Sequence, residues 1–208
     1  MARTCITESG PDPNNMDAAS QESFLKKLIE RLRDHNIPYM ISGSVSSSLH
    51  GQPRATRDVD IVINPTEKQL LEFCQSLDED YYVSLSAVRD AFKNKSMFNI
   101  IDNQSGWKAD FICLKDRVFS QQEFDRRSVA NIKGMDVWIA SPEDTILSKL
   151  DWAKDSHSEQ QLRDALGVAY IQWDHLDINY MQKWAKELQV NESLQQLLEE
   201  ARRLKETE

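Results

Sequence analysis

Arg54-Ala55-Thr56-Arg57-Asp58-Val59-Asp60-Ile61-Val62-Ile63 is the stretch on which the reading of the fold turns. Its β-branched run from Val59 to Ile63, stopped by Asn64-Pro65, predicts a strand, and two aspartates stand at its entrance. Side chains alternate faces along a strand, so Asp58 and Asp60 share one face. Two neighbouring carboxylates repel unless a cation lies between them. An all-oxygen pair favours a hard divalent ion, with Mg²⁺ as the first candidate and Mn²⁺ as its substitute.

Working towards the N-terminus, Tyr39-Met40-Ile41 reads as a short buried strand, Gly43-Ser44 as a sharp turn, and Val45 to His50 as a short helix stopped by Gly51 and Pro53. Glycine lets backbone approach a phosphate, the first N–H groups of the helix face the anion, and Ser44 adds a hydroxyl. Towards the C-terminus, Thr66-Glu67-Lys68-Gln69 is a capping box for a helix to about Leu77. Tyr81 to Leu85 reads as a strand and Ser86 to Phe92 as a weak helix. Met97 to Ile101 and Trp107 to Leu114 read as an antiparallel hairpin through Asn103-Gln104-Ser105-Gly106. Inside that hairpin Asp110 interrupts the apolar run Ala109-Phe111-Ile112-Cys113, where an unpaired charge is costly and calls for a partner or a metal. If its strand lies beside the Asp58–Asp60 strand, three carboxylates converge. After a linking segment, Ile132 and Val137-Trp138-Ile139 flank Lys133-Gly134-Met135-Asp136 and predict one more hairpin at the sheet edge.

The pattern then becomes wholly helical. Ser141-Pro142-Glu143-Asp144 supplies a cap, a proline at the first helical position and an acid at the third. Ser158-Glu159-Gln160-Gln161 starts a further helix, Ile178, Met181, Trp184, Ala185 and Leu188 mark the next, and Asn191 is expected to cap the last. At the other end, Ser20 is the expected cap of a helix carrying Phe24, Leu25, Leu28, Ile29 and Leu32. The expected organisation is a disordered leader over 1–19, an α+β domain with a mixed sheet and flanking helices over 20–140, and a C-terminal helical domain over 141–208.

In a chain of 208 residues, a hydrophobic fraction of 40% and a charged fraction of 28% describe an ordinary globular protein, without an apolar run long enough for a membrane helix. A net charge of -9 argues against holding nucleic acid mainly by counterion release. Cys5, Cys74 and Cys113 have no metal-binding spacing and suggest a reducing compartment, the cytoplasm.

Ser42-Gly43-Ser44 followed by Arg54-Ala55-Thr56-Arg57-Asp58-Val59-Asp60-Ile61 resembles the Gly-Ser and Asp-x-Asp signature of DNA polymerase β-like nucleotidyltransferases, with Asp110 matching their third carboxylate. Ser148-Lys149-Leu150-Asp151-Trp152-Ala153 and Gln161-Leu162-Arg163-Asp164 resemble the second-half motifs of the AbiEii/AbiGii abortive-infection toxin branch. The resemblance runs over roughly residues 37 to 170. It implies metal-dependent transfer of a nucleoside monophosphate from an NTP, with Asp58, Asp60 and Asp110 on the metal. Gly43, Ser44, Arg57 and Lys149 would be on the nucleotide, and Lys149 and Asp164 would have active-site roles. It also brings RNA (tRNA above all), proteins and small molecules into view as acceptors, and an antitoxin as a partner. The branch usually carries an Arg about one turn after its Lys; here Lys154 and Asp155 follow, and Arg163 is the nearest Arg.

Other residues read more plainly. His35, His50, His157 and His175 lack ligand spacing, and Trp152, Trp173 and Trp184 fall where core packing suits them. Lys108, Lys115, Arg117, Arg126, Arg127 and Lys133 make the most basic stretch, read as a solvated edge. The competing functions are a catalytically silent nucleotide-binding or toxin–antitoxin module and a structural protein docking through its last helices.

Overall fold

The computed structural model describes residues 13–56 and 58–207. Its elements are α1 (Pro13–Asp34), β1 (Tyr39–Ser42), α2 (Gly43–His50), β2 (Asp58–Ile63), α3 (Glu67–Gln75), β3 (Tyr81–Val83), α4 (Leu85–Asn94), β4 (Met97–Asp102) and β5 (Lys108–Cys113). There follow α5 (Val118–Asp125), β6 (Ser128–Ile132), β7 (Met135–Ile139), α6 (Pro142–Ser156), α7 (Glu159–Gln172), α8 (Ile178–Glu187) and α9 (Asn191–Glu206). The fold is α+β: a mixed sheet in the order β3-β4-β5-β2-β1-β7-β6, followed by a helical region.

Strand alternation divides the sheet into two faces. Val59, Ile61 and Ile63 of β2, with Ala109, Phe111 and Cys113 of β5, join a core built with Phe24, Leu28, Leu70, Phe73 and Val88 from α1, α3 and α4. The opposite face carries Asp58, Asp60 and Val62 beside Lys108, Asp110 and Ile112. A second core, around Ile146, Leu147, Leu150, Val168, Met181, Trp184 and Leu194, holds the C-terminal helices together and takes Phe119 from α5.

The helices α2, α6 and α7 fasten that helical region to the sheet. Ser46 and Thr145 share a hydroxyl–hydroxyl bond of 2.6 Å, and Gly51 lies so close to α7 that a Cβ there would meet Val168 N at 2.7 Å. Deeper in the interface Asp144, wholly buried, accepts from Ser141 (2.7 Å), Tyr180 (2.5 Å) and Arg126 (3.1 Å).

The Thr66–Gln69 capping box and the Ser141 cap are formed as their residue types imply. Several expectations are corrected. The segment between β5 and β6 contains α5, a two-turn helix too short for its apolar period to stand out. Residues 1–12 of the expected leader lie outside the described residues, and α1 starts at Pro13, ahead of Ser20; proline is tolerated in a first turn and Ala18-Ala19 favour helix. Asn191 is the first helical residue, and its neighbour Val190 occupies the cap position. Trp152 is 62% exposed on α6 and is not part of the core.

Candidate active site

The parallel pairing of β2 with β5 sets Asp58 opposite Lys108 and Asp60 opposite Asp110. Since i and i+2 share a face, four charged side chains occupy one patch of the sheet. On β4, Asn99 is paired with Asp110, and its amide donates to Asp110 Oδ1. Lys108 donates to Asp110 Oδ2 at 3.2 Å and lies 3.6 Å from Asp58 Oδ2. Asp110, which the sequence left without a structural partner, therefore has two. Burial works against the Lys108 ammonium, but its hydrogen bond to Asp110 and the charges of Asp110 and Asp58 outweigh that and raise its pKa above the usual lysine value.

Asp60 is pressed from the other direction. Burial and then the Asp110 charge raise its pKa above the ordinary carboxylate value, while the Lys149 charge and a backbone hydrogen bond from Ser44 oppose the shift. Its carboxylate lies against Gly43, which has φ +60°, and a Cβ at Gly43 would sit 1.9 Å from Asp60 Oδ2. Glycine at this turn thus meets two demands, a left-handed backbone and room for the carboxylate. Ser44 is 8% exposed, and its hydroxyl is shared with Thr56 at 2.8 Å, so the hydroxyl holds the approach to β2 in place rather than facing outward.

In the helical region Lys149 and Asp164 form a buried pair at 2.8 Å. Arg54 adds a fork of two bonds to Asp164, 3.0 and 2.9 Å, and Gln160 a third donor at 2.7 Å. Burial opposes ionisation of Asp164, but the bonds from Arg54, Lys149 and Gln160 dominate and hold its carboxyl well below the usual range. Lys149 is 4% exposed, a buried ammonium held against a buried carboxylate. Sequence reasoning missed Arg54 as the arginine of this cluster; Arg163 instead pairs with Glu159 at the surface. Arg57 lies outside the described residues.

Because Asp164 would lose one of its buried donors, Lys149→Ala is expected to cost ~2 kcal/mol, tempered by the remaining Arg54, and to lower the melting temperature by ~4–8 °C. Thermal melts decide this, and an unchanged melting temperature would count against a structural share for the pair.

Among the described residues, no group of three or more His, Cys, Asp or Glu side chains forms a ready metal-binding cluster. The Lys108 ammonium stands between Asp58 and Asp110, and Asp60 is turned to the start of α2. The donor chemistry nonetheless suits a hard cation: three carboxylates on adjoining strands, all oxygen, with the Asp60 carboxyl raised first by burial and then by the neighbouring Asp110 charge.

The basic stretch of the sequence does not assemble into a patch. Arg117 pairs with Asp151, Arg126 with Glu143 and Asp144, and Lys133 with Glu22, while Arg127 stacks on Phe124 and Trp138. His50 packs half-buried with its Nε2 2.8 Å from Ala140 O.

A mixed sheet with a Gly-Ser turn leading into a helix, and aspartates on paired central strands, defines the nucleotidyltransferase architecture. An antigenic nucleotidyltransferase-like protein from Paracoccidioides brasiliensis shares it at 17% identity and a TM-score of 0.55, over 86% of this chain and 92% of that one. The antibiotic-resistance factor ANT(2'')-Ia shares it at 12% identity and a TM-score of 0.54, over 91% and 99%. No curated protein sequence matches the chain. Residues 21–205 match the model of a nucleotidyltransferase family of unknown function, DUF6036, and the protein belongs to that family.

Proposed function

We propose that the protein transfers a nucleoside monophosphate from an NTP to an acceptor hydroxyl, using Asp58, Asp60 and Asp110 to hold Mg²⁺, with Mn²⁺ as a substitute. The observation that carries this reading is the register that makes Asp60 and Asp110 lateral neighbours, with Asp58 on the same face. A divalent ion held by these carboxylates would supply charge neutralisation for the triphosphate. The turn at Gly43 and Ser44 contributes backbone N–H groups at the start of α2, suited to an anionic phosphate. Arg57, carried over by the sequence resemblance, would add a cation to the nucleotide. Lys149, whose charge already reaches Asp60, offsets negative charge developing on the departing pyrophosphate. Asp164 holds the Lys149 ammonium in place, and Arg54 holds Asp164. Asp110 accepts the proton of the acceptor hydroxyl.

The Lys149–Asp164 pair supports the likeness to the AbiEii/AbiGii toxin branch, and with it RNA, a protein or a small molecule as acceptor and an antitoxin as partner. The sheet region to residue 140 and the helical region after it act as two lobes around the site. No helix among the described residues is long and apolar enough to cross a membrane. Cys74 and Cys113 are free and buried, in keeping with a reducing cytoplasm.

The deciding experiment supplies each α-labelled NTP with Mg²⁺ or Mn²⁺ and cell extract, and asks which molecule takes up label. Label in one acceptor, lost with chelator, is the expected result. NTP binding without transfer to any component would instead mark a silent nucleotide-binding module.

A further inference from the structure

We infer that Lys108 is a built-in counter-cation of the carboxylate patch, which a divalent ion must displace before it can bridge Asp58 and Asp110; the inference rests on the metal-dependent reading above. Three observations carry it. The strand register places Lys108 directly opposite Asp58 and two residues before Asp110, on their common face. Its ammonium reaches both carboxylates, at 3.6 and 3.2 Å, the position a bridging cation would need. The other Asp110 oxygen accepts from Asn99, so both oxygens of Asp110 are already engaged by protein donors while Lys108 stays.

An ammonium and a divalent ion cannot share these oxygens, because like charges at such separations repel strongly even after solvent screening. Lys108 can leave. Its side chain is 33% exposed, and its long flexible stem allows the ammonium to turn outward to water. In the resting protein Lys108 therefore limits repulsion among the carboxylates and suppresses binding of metal alone. A metal arriving with a triphosphate brings further oxygen ligands and negative charge that repel neither it nor the displaced ammonium. Lys108 in this way couples metal occupancy to the nucleotide, as a positioning residue.

The test measures Mn²⁺ binding by electron paramagnetic resonance, with and without a non-hydrolysable NTP analogue, for wild type, Lys108→Met, Lys108→Gln and Lys108→Arg, each checked for folding by circular dichroism. Without nucleotide, the Met and Gln variants should bind Mn²⁺ at least ~10-fold more tightly than wild type, in line with removal of a contacting like charge. The Arg variant should stay near wild type. In chelator the Met variant should melt lower than wild type and regain the difference when Mn²⁺ is added. Equal or weaker Mn²⁺ binding by folded Met and Gln variants, in a wild type that binds Mn²⁺ with nucleotide, would overturn the inference alone. Absence of Mn²⁺ binding in every protein under both conditions would overturn the metal-dependent reading as well.

Discussion

Asp60→Asn should lower nucleotide transfer by ~100-fold or more while raising the melting temperature of the metal-free protein. The loss follows from removing one of the carboxylates that would hold the metal. The gain follows from the same carboxylate's environment: burial and the neighbouring Asp110 make its ionised form unfavourable in the folded chain. Because the folded pKa is raised, the folded protein holds the Asp60 proton more tightly than the unfolded chain does. The stability tied to that proton is fully present below the ordinary carboxylate pKa and is lost as pH rises through the raised folded value. Asparagine keeps the shape, can still accept from the Ser44 backbone and carries no charge to suppress. Melting curves in chelator at pH 5 and pH 8 should therefore show the variant's advantage at pH 8 shrinking at pH 5. Transfer at the wild-type rate would remove Asp60 from the site, and a variant less stable at pH 8 would contradict the electrostatic account.

Gly43→Ala should reach a similar chemical deficit by a steric route. The added methyl would lie 1.9 Å from Asp60 Oδ2 and 2.6 Å from its Cγ, so either the carboxylate or the turn must move. The left-handed φ of +60° adds a backbone cost of ~1–2 kcal/mol for a residue with a Cβ. Transfer is expected to fall by ~100-fold or more, since the displaced group is one the chemistry needs. The melting temperature should fall by several degrees, ~2–8 °C for a chain of this size. The coupling is open to a double-mutant cycle: with Asp60→Gly in place the clash is gone, and Gly43→Ala should then cost only the backbone share. Additive costs in that cycle would mean that Gly43 is required by its turn and not by Asp60.

Both predictions concern residues whose neighbourhood was partly legible in the chain. The two-residue period of a strand puts Asp58 and Asp60 on one face whatever surrounds them, and the β-branched run after them identifies the strand. Asp110 stood out because a charge inside an apolar run is costly, and β5 pairs with β2 in the register that brings it level with Asp60. Lys149 and Asp164 were singled out by resemblance; nothing in their local pattern distinguished them from the exposed Lys and Asp of any helix.

The sequence by itself determined the elements whose causes are local: the capping box at Thr66, the cap and proline at Ser141-Pro142, the Lys133-Gly134 hairpin turn, the strand-turn-helix at Gly43 and the shared face of Asp58 and Asp60. Tertiary structure alone decided which charges meet. Arg54 finds Asp164 and Asn99 finds Asp110, while Lys108, which looked like one member of a basic edge, becomes the cation between two carboxylates. It also decided that Lys149 is buried and Trp152 exposed. The physical reason is the range of the forces involved: caps, turns and strand period act within a few residues, whereas an ion pair depends on strand register and helix docking, which juxtapose residues far apart in the chain.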